Sequence, residues 1–274
     1  MVIRFMTCAL AAALSATLAR ADEVQLLPPP GISNGFDPIP VTAWRIGALE
    51  LRDPHVYYSL GLCVDVTDEL DANIAQQLDA DADGDGNYDS SAVEFMLPYG
   101  TGFEEAFGSI EGICSTASPS QCAPAALPAV PRWYAPYALA PPTVCLGPLP
   151  GTTSGYTPPV PAPGGNCFAT TVIDTTFAFG TLSVPLWDTA LAAPWPATTG
   201  STSGGLMRGF LRESDADQIT VDLGTGPVTL SSVLPGGTGS CATGVTNGID
   251  SDRNEPGWWM YLEYRLDAVS LSDY

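Results

Sequence analysis

Hydrophobic and polar positions alternate most regularly near the C-terminal end of the chain, over residues 258–266. Successive side chains of a strand point to opposite sides, so each parity of this segment forms one face. One face carries Trp258, Met260, Leu262, Tyr264 and Leu266, and the other carries Trp259, Tyr261, Glu263 and Arg265. The pattern predicts a strand whose first face belongs to the core.

Shorter runs of strand-forming residues precede this segment. They cover residues 46–51, 55–60, 92–97, 171–179, 182–186, 219–223 and 228–230. Asp53 and Pro54 are turn residues between the first two runs, and Gly224-Thr225-Gly226 predicts a hairpin between the last two. The chain is therefore expected to be mainly β.

Two segments have helical periodicity instead. Leu70, Ile74 and Leu78 recur at a spacing of four, and Thr67 before Asp68 and Glu69 is a suitable N-cap. The second segment, residues 206–214, has apolar pairs four residues apart and is predicted to form a short helix.

The first 21 residues have the pattern of a secretory signal peptide. Arg4 precedes an apolar stretch, and Ala19-Arg20-Ala21 places small residues before a cleavage site. We therefore expect an extracytoplasmic protein, periplasmic, surface-bound or secreted, whose mature chain, residues 22–274, forms one domain without a membrane span.

Six cysteines remain after the signal, an even number that predicts three disulfides among 15 connectivities. We expect Cys114–Cys122 and Cys145–Cys167 to close local loops and Cys63–Cys241 to join the two halves. Residues 114–167 hold half of the 26 prolines, so a long irregular excursion is expected there. The predicted fold is an antiparallel β-sandwich with one or two short helices and this disulfide-bonded excursion.

Charge and composition exclude several functions. The formal net charge is −21, all nine basic residues are arginine, and there is no lysine. Binding to nucleic acid requires a basic surface that this chain lacks, and chemistry based on a lysine is excluded. The sequence does not predict an oligomeric state.

One acidic segment carries the strongest chemical signal. Residues 79–89, Asp-Ala-Asp-Ala-Asp-Gly-Asp-Gly-Asn-Tyr-Asp, place a carboxylate at almost every second position. Carboxylates this close repel one another unless a cation offsets them, and alternate residues of a turning loop direct oxygens to one centre. The predicted ligands of a calcium ion are the side chains of Asp81, Asp83, Asp85 and Asp89 and the backbone carbonyl of Asn87, with Asp79 as an additional candidate.

The motif from Asp81 to Asp89 resembles the calcium loops of thrombospondin type-3 repeats and dockerins and, more distantly, the EF-hand. The resemblance covers about a dozen residues and implies a bound Ca²⁺, with no implication for the remaining fold. The twelfth loop position is Ala92, where an EF-hand has a bidentate glutamate. We therefore expect a dissociation constant on the order of 10⁻⁴ to 10⁻³ M. The alternative is an acidic turn without an ion.

Two further sites are candidates. A weaker candidate for a second cation site has side-chain oxygens at alternate positions, on Asp250, Asp252 and Asn254, although Arg253 lies among them. Trp259 and Tyr261, on the face opposite the predicted core, form a candidate platform for a sugar ring. The alternative is that a loop or a second sheet buries these aromatic residues.

Catalytic groups are few, since His55 is the only histidine and no G-x-S-x-G segment is present. The favoured function is a non-catalytic, surface or secreted binding or adhesion module, with a glycan or a surface protein as its partner and calcium in a structural role. The alternative is a secreted carbohydrate hydrolase that uses two carboxylates, with Glu94, Glu104, Glu105 and Glu111 as the first candidates.

Overall fold

The architecture was analysed in a computed structural model of the 274-residue chain. The structure describes residues 42–59, 61–96, 107–125, 132–134, 138–140, 144–179, 182–195, 200–223, 226–239, 241 and 250–271. The predicted signal peptide, Glu104 and Glu105 lie outside these residues.

The protein is mainly β, as predicted. Its strands are β1 (Thr42–Asp53), β2 (Tyr57–Ser59), β3 (Cys63–Asp65), β4 (Ser91–Met96), β5 (Phe107–Cys114), β6 (Gln121–Pro124), β7 (Arg132–Tyr134), β8 (Ala138–Ala140), β9 (Cys167–Ala169), β10 (Ile173–Phe179), β11 (Leu182–Pro194), β12 (Ser201–Arg212), β13 (Thr220–Asp222), β14 (Pro227–Thr229), β15 (Asp250–Asp252) and β16 (Glu255–Leu271). The helices are α1 (Thr67–Leu78), α2 (Glu213–Ala216) and α3 (Leu230–Val233).

Twelve of these strands belong to one sheet. Its main order is β1-β4-β5-β6-β16-β12-β11-β9-β8, while β10, β15 and β7 pair at its sides. Because β1 also pairs with β16, the strands β1, β4, β5, β6 and β16 form a closed circuit of pairings. The sandwich arrangement itself stays a prediction.

The long closing strand β16 occupies the middle of this sheet. It pairs antiparallel with β1 on one side and with β12 on the other, and its last residues pair parallel with β6. The predicted core face is confirmed, because all five residues of that face lie in the largest apolar cluster. Trp258, for example, is 1% exposed.

The predicted helix over residues 206–214 is wrong, since residues 201–212 form strand β12. A spacing of four is even, so Leu206 and Phe210 share a face in a strand as well as in a helix. They pack in one apolar cluster while Met207 and Leu211 pack in another on the opposite face. A strand buried on both faces loses the alternation that would identify it.

The other local predictions have mixed outcomes. Helix α1 spans Thr67–Leu78 with Ile74 and Leu78 buried, although its N-cap is Val66 rather than Thr67. Strands β13 and β14 pair antiparallel as the predicted hairpin requires, while Gly224 and Thr225 lie outside the described residues. Strand β2, however, pairs with β3, whereas β1 pairs with β16 and β4.

Three disulfides link the pairs expected from the sequence: Cys63–Cys241, Cys114–Cys122 and Cys145–Cys167. They indicate an oxidising, extracytoplasmic environment. Within the described residues, no helix is both long and apolar enough to cross a membrane.

Residues 144–166 have no regular secondary structure and cover one face of the sheet. We call this segment the strap. Leu146 and Leu149 of the strap pack in the apolar cluster that includes Trp259 and Tyr261. Two hydrogen bonds fix its position, from the Leu149 amide to the Tyr261 hydroxyl (2.9 Å) and from the Arg208 guanidinium to the Gly147 carbonyl (2.8 Å).

Candidate metal centre

The acidic loop connects the end of helix α1 to the start of strand β4. A buried arginine on β1 fixes both ends of this loop. The guanidinium of Arg45 donates to the carbonyl of Leu78, the last helical residue, and to Oδ1 of Asp79 at 3.0 Å. It also lies 3.8 Å from the ring centre of Tyr88, near the other end. Arg45 is only 4% exposed. Because water is largely excluded from its side chain, the hydrogen bonds and the cation–π contact are stronger than they would be at the surface.

Hydrogen bonds from backbone amides to carboxylates shape the loop itself. Asp81 accepts from the Gly86 amide at 3.1 Å, and Asp89 accepts from the Ala82 amide at 2.9 Å. Gly86 has φ of +86°, a conformation that side chains disfavour, and it allows the sharp bend. These two hydrogen bonds cross the loop in opposite directions along the chain and fold it back on itself.

A hairpin stabilised by a disulfide holds the loop from outside. The Tyr88 amide donates to the Cys114 carbonyl, and the Thr116 amide and hydroxyl both donate to the Gly86 carbonyl. Cys114 belongs to the disulfide with Cys122 at the β5–β6 turn. Strand β1, this hairpin and helix α1 thus position the loop together.

The result is a cluster of three carboxylates, which we call the triad: Asp81, Asp83 and Asp89 each place one oxygen within 4.8 Å of the others. Oδ1 of Asp81 is buried and has no hydrogen-bond partner among the described residues. Three hard anionic oxygens within this distance of one another, together with an unsatisfied carboxylate oxygen on Asp81, fit an oxygen-preferring divalent cation such as Ca²⁺.

The other predicted calcium ligands, Asp79, Asp85 and Asn87, are not part of the triad. Asp79 pairs with Arg45, and the carboxylate of Asp85 accepts from the Asn87 amide at 2.7 Å, outside the triad. Asn87 forms an isolated bridge with Ser115. The structure therefore brings three of the predicted ligands together and uses Asp79 and Asp85 in other hydrogen bonds.

At the second predicted cation site, an arginine side chain lies among the acidic residues. The guanidinium of Arg253 pairs with Asp188 and Asp174, and its Nε lies 3.9 Å from Asp252. Asp250 instead accepts from the Trp259 amide at 3.2 Å. Arg253 thus already places a positive charge beside Asp252, and the metal at Asp250, Asp252 and Asn254 stays a prediction.

The predicted aromatic platform is not exposed. Trp259 is 7% and Tyr261 0% exposed, because the strap lies over this face of the sheet. Tyr261 uses its hydroxyl to hold the strap through Leu149 and Thr152. The pair therefore has a packing role, which was the alternative interpretation.

A polar cluster around His55 was missed by the sequence reasoning. His55 Nδ1 lies 2.5 Å from Oδ2 of Asp65, and its ring stacks on Tyr156 of the strap at 3.6 Å. Nearby, Asp53 accepts from the Ser154 amide at 2.7 Å. Asp53 and Ser154 are separated by about a hundred residues, and no local pattern indicates that they meet.

The two carboxylates of this cluster have opposite pKa shifts. Burial raises the pKa of Asp53 to about 6, even though its hydrogen bond from Ser154 acts to lower it. Burial also acts to raise the pKa of Asp65, but hydrogen bonds from Thr67 and His55 lower it below its ordinary value. Carboxylates with separated pKa values are typical of acid–base pairs.

Fold and site together define a mainly β, disulfide-bonded, acidic protein with an aspartate cluster suited to a metal ion. Comparisons with protein-family models, curated proteins and solved structures find no match to this chain.

Proposed function

We propose that this protein is a secreted or cell-surface, calcium-binding module without catalytic activity. Its role would be binding or adhesion, with a glycan or a surface protein as the partner and calcium as a structural ion. The observation that carries the proposal is the triad, in which each carboxylate places one oxygen within 4.8 Å of the others, together with Oδ1 of Asp81, which is buried and has no hydrogen-bond partner among the described residues. The oxidising environment indicated by the disulfides supports it, because extracellular calcium is abundant enough for weak sites.

Calcium in the triad would stabilise the junction between helix α1 and strand β4. Asp81 and Asp83 follow the helix, whereas Asp89 precedes the strand. An ion bound to all three would offset their mutual repulsion and hold the two ends of the loop together. This effect adds to the contacts that Arg45 makes from the other side of the loop.

Thermal unfolding tests the calcium site directly. With a dissociation constant on the order of 10⁻³ M, 10 mM Ca²⁺ is expected to add about 1.4 kcal/mol to the free energy of unfolding. For a chain of this size that raises Tm by roughly 3–6 °C relative to EGTA. Asp81→Asn and Asp83→Asn should each abolish most of this shift.

The matched control for that experiment is Glu69→Gln, which removes one negative charge from an exposed position on helix α1. It should retain the full calcium shift. An absent shift in the native protein, or an equal loss in the control, would contradict the site and leave the triad as an acidic turn.

The second candidate function is hydrolysis of a carbohydrate by two carboxylates. The observation that favours it is the His55 cluster, in which Asp53 has the raised pKa of an acid and Asp65 the lowered pKa of a base or nucleophile. Tyr156, stacked on His55, adds an aromatic surface next to them. Of the glutamates named as candidates from the sequence, Glu94 is buried on β4 and Glu111 is exposed on β5.

A reducing-end assay on a panel of polysaccharides tests this second candidate. A general acid must be protonated, so the rate should fall as the pH rises above the Asp53 pKa of about 6. Asp53→Asn and Asp65→Asn should each abolish the activity. Asp71→Asn is the matched control, because Asp71 also has a pKa of about 6, raised by burial, but accepts from the Leu51 amide away from His55.

A further inference from the structure

The chain contains two Asp-Gly pairs, Asp83-Gly84 and Asp85-Gly86, and both lie in the acidic loop. Where glycine follows aspartate, no side chain shields the glycine nitrogen, which can attack the carboxyl carbon of the preceding residue. This attack is the first step of a spontaneous rearrangement of aspartate to isoaspartate. By sequence alone the two pairs are equally reactive, so a difference between them would come from the fold.

Both aspartates fold their carboxyl groups back over the peptide bond that follows them. Oδ1 of Asp83 accepts from the Asp85 amide at 3.1 Å, and Oδ1 of Asp85 accepts from the Asn87 amide at 2.7 Å. Each hydrogen bond closes a short ring that includes the amide nitrogen of the intervening glycine. The carbon to be attacked therefore stays near the attacking nitrogen in both pairs, and proximity does not distinguish them.

The two glycines differ in the hydrogen bonds of their backbone. The Gly86 amide donates to Asp81 at 3.1 Å, and the Gly86 carbonyl accepts from both the amide and the hydroxyl of Thr116. Gly86 is also half-buried. Gly84, in contrast, is exposed, and its amide donates to no other group among the described residues. The fold therefore fixes the second glycine and leaves the nitrogen of the first one accessible.

This difference sets the relative rates of the two rearrangements. The glycine nitrogen must lose its proton and turn towards the carboxyl carbon before the ring can close. At Gly86 the hydrogen bond to Asp81 must break first, and the loss of a bond to a charged acceptor slows the reaction roughly tenfold. At Gly84 no such bond is lost. The rearrangement at Asp83 is therefore faster than that at Asp85.

From these observations we propose that Asp83 is a site of spontaneous isoaspartate formation and that the fold protects Asp85. The Gly84 nitrogen bonds to Cγ of Asp83, and its proton leaves with the carboxyl hydroxyl as water, which gives a five-membered imide. Water then opens the imide at either carbonyl carbon. Opening at Cγ restores aspartate, whereas opening at the backbone carbonyl carbon leaves the chain running through Cβ and Cγ, which is isoaspartate.

Isoaspartate at this position changes the acidic loop in two ways. The backbone becomes one carbon atom longer, and the free carboxylate is attached directly to Cα. The carboxylate oxygen that Asp83 places in the triad is therefore displaced from Asp81 and Asp89. A molecule modified in this way would bind Ca²⁺ more weakly, a consequence that rests on the proposed function. The rearrangement itself does not depend on an ion.

Incubation of the mature chain at neutral pH in oxygen-18 water tests this proposal, with EGTA present so that the outcome does not depend on calcium. Each cycle of ring closure and opening inserts one solvent oxygen. Chymotrypsin, which cleaves after leucine and tyrosine, releases residues 79–88, and fragmentation of that peptide locates the label. Label should accumulate roughly tenfold faster at Asp83 than at Asp85 in the folded protein, and equally fast at both in the reduced, unfolded chain. Equal rates in the folded protein, or no label at Asp83, would overturn the proposal.

Two alanine variants test the protective hydrogen bond. Asp81→Ala removes the acceptor of the Gly86 amide and should raise the rate at Asp85 roughly tenfold. Asp89→Ala is the matched control, because it removes a carboxylate of the same loop that accepts from the Ala82 amide instead. It should leave the rate at Asp85 unchanged. Equal increases in the two variants would overturn the protection assigned to the fold.

Replacement by glutamate separates the two positions in a second way. Asp83→Glu keeps the charge but lengthens the side chain, so ring closure would give a six-membered imide, which forms far more slowly. This variant should eliminate isoaspartate from the peptide of residues 79–88, whereas Asp85→Glu should leave nearly all of it. Circular dichroism equal to that of the native chain shows that both variants are folded. Loss of isoaspartate in the Asp85→Glu variant alone would overturn the assignment to Asp83.

Discussion

Replacing both Cys63 and Cys241 by serine is expected to lower the free energy of unfolding by about 5 kcal/mol. This disulfide joins residues separated by 178 positions, so its loss releases much more conformational freedom in the unfolded chain than a local bridge does. It connects strand β3, directly before helix α1, to the chain beyond helix α3. Urea denaturation monitored by tryptophan fluorescence measures the loss as a lower midpoint.

The double variant of Cys114 and Cys122 is the matched comparison, because its loop spans only 8 residues. The same relation gives about 2.5 kcal/mol for this shorter loop. The decisive result is the order of the two losses in free energy of unfolding, with the Cys63–Cys241 variant losing more. If removal of the short bridge costs as much as removal of the long one, the entropic explanation fails for this fold.

Replacing Arg45 by methionine should cost about 3 kcal/mol, the second largest effect expected. The substitution keeps an unbranched apolar side chain but leaves the buried Leu78 carbonyl without its donor and Tyr88 without its cation. Asp79, whose side chain is 63% exposed, returns to water at little cost. The loss therefore measures how strongly β1 holds the acidic loop.

Arg52→Met is the control for this experiment. Arg52 is on the same strand and pairs with Glu50 and Glu263 near the surface. Partly exposed pairs of this kind contribute about 1 kcal/mol or less. Chemical denaturation of both variants gives the comparison, and equal losses at the two positions would contradict the role assigned to Arg45.

Features encoded by nearby residues were predictable from the sequence. Helix α1 follows from Leu70, Ile74 and Leu78, and the face of β16 follows from strict alternation. The convergence of Asp81, Asp83 and Asp89 follows from a short motif in which a glycine allows the bend. In each case the positions that decide the structure lie within about a dozen residues.

Features that depend on distant pairings were not predictable in the same way. The burial of Trp259 depends on the strap, more than ninety residues earlier, and the pairing of Asp188 depends on the direction of the Arg253 side chain. The contact of Asp53 with Ser154 needs the strap to be in place. The error at residues 206–214 has another cause, since even spacing does not separate a doubly buried strand from a helix.

The position of β16 has a consequence for the order in which the chain can fold. This strand, residues 255–271, is synthesised after β1, β6 and β12, yet all three pair with it. When the chain leaves the ribosome or crosses a membrane from its N-terminus, β1 therefore emerges about two hundred residues before its partner β16. Until residue 271 arrives, β1 and β12 have unpaired edges that favour aggregation. Folding of this sheet therefore depends on β1 and β12 staying unaggregated until residue 271 has emerged.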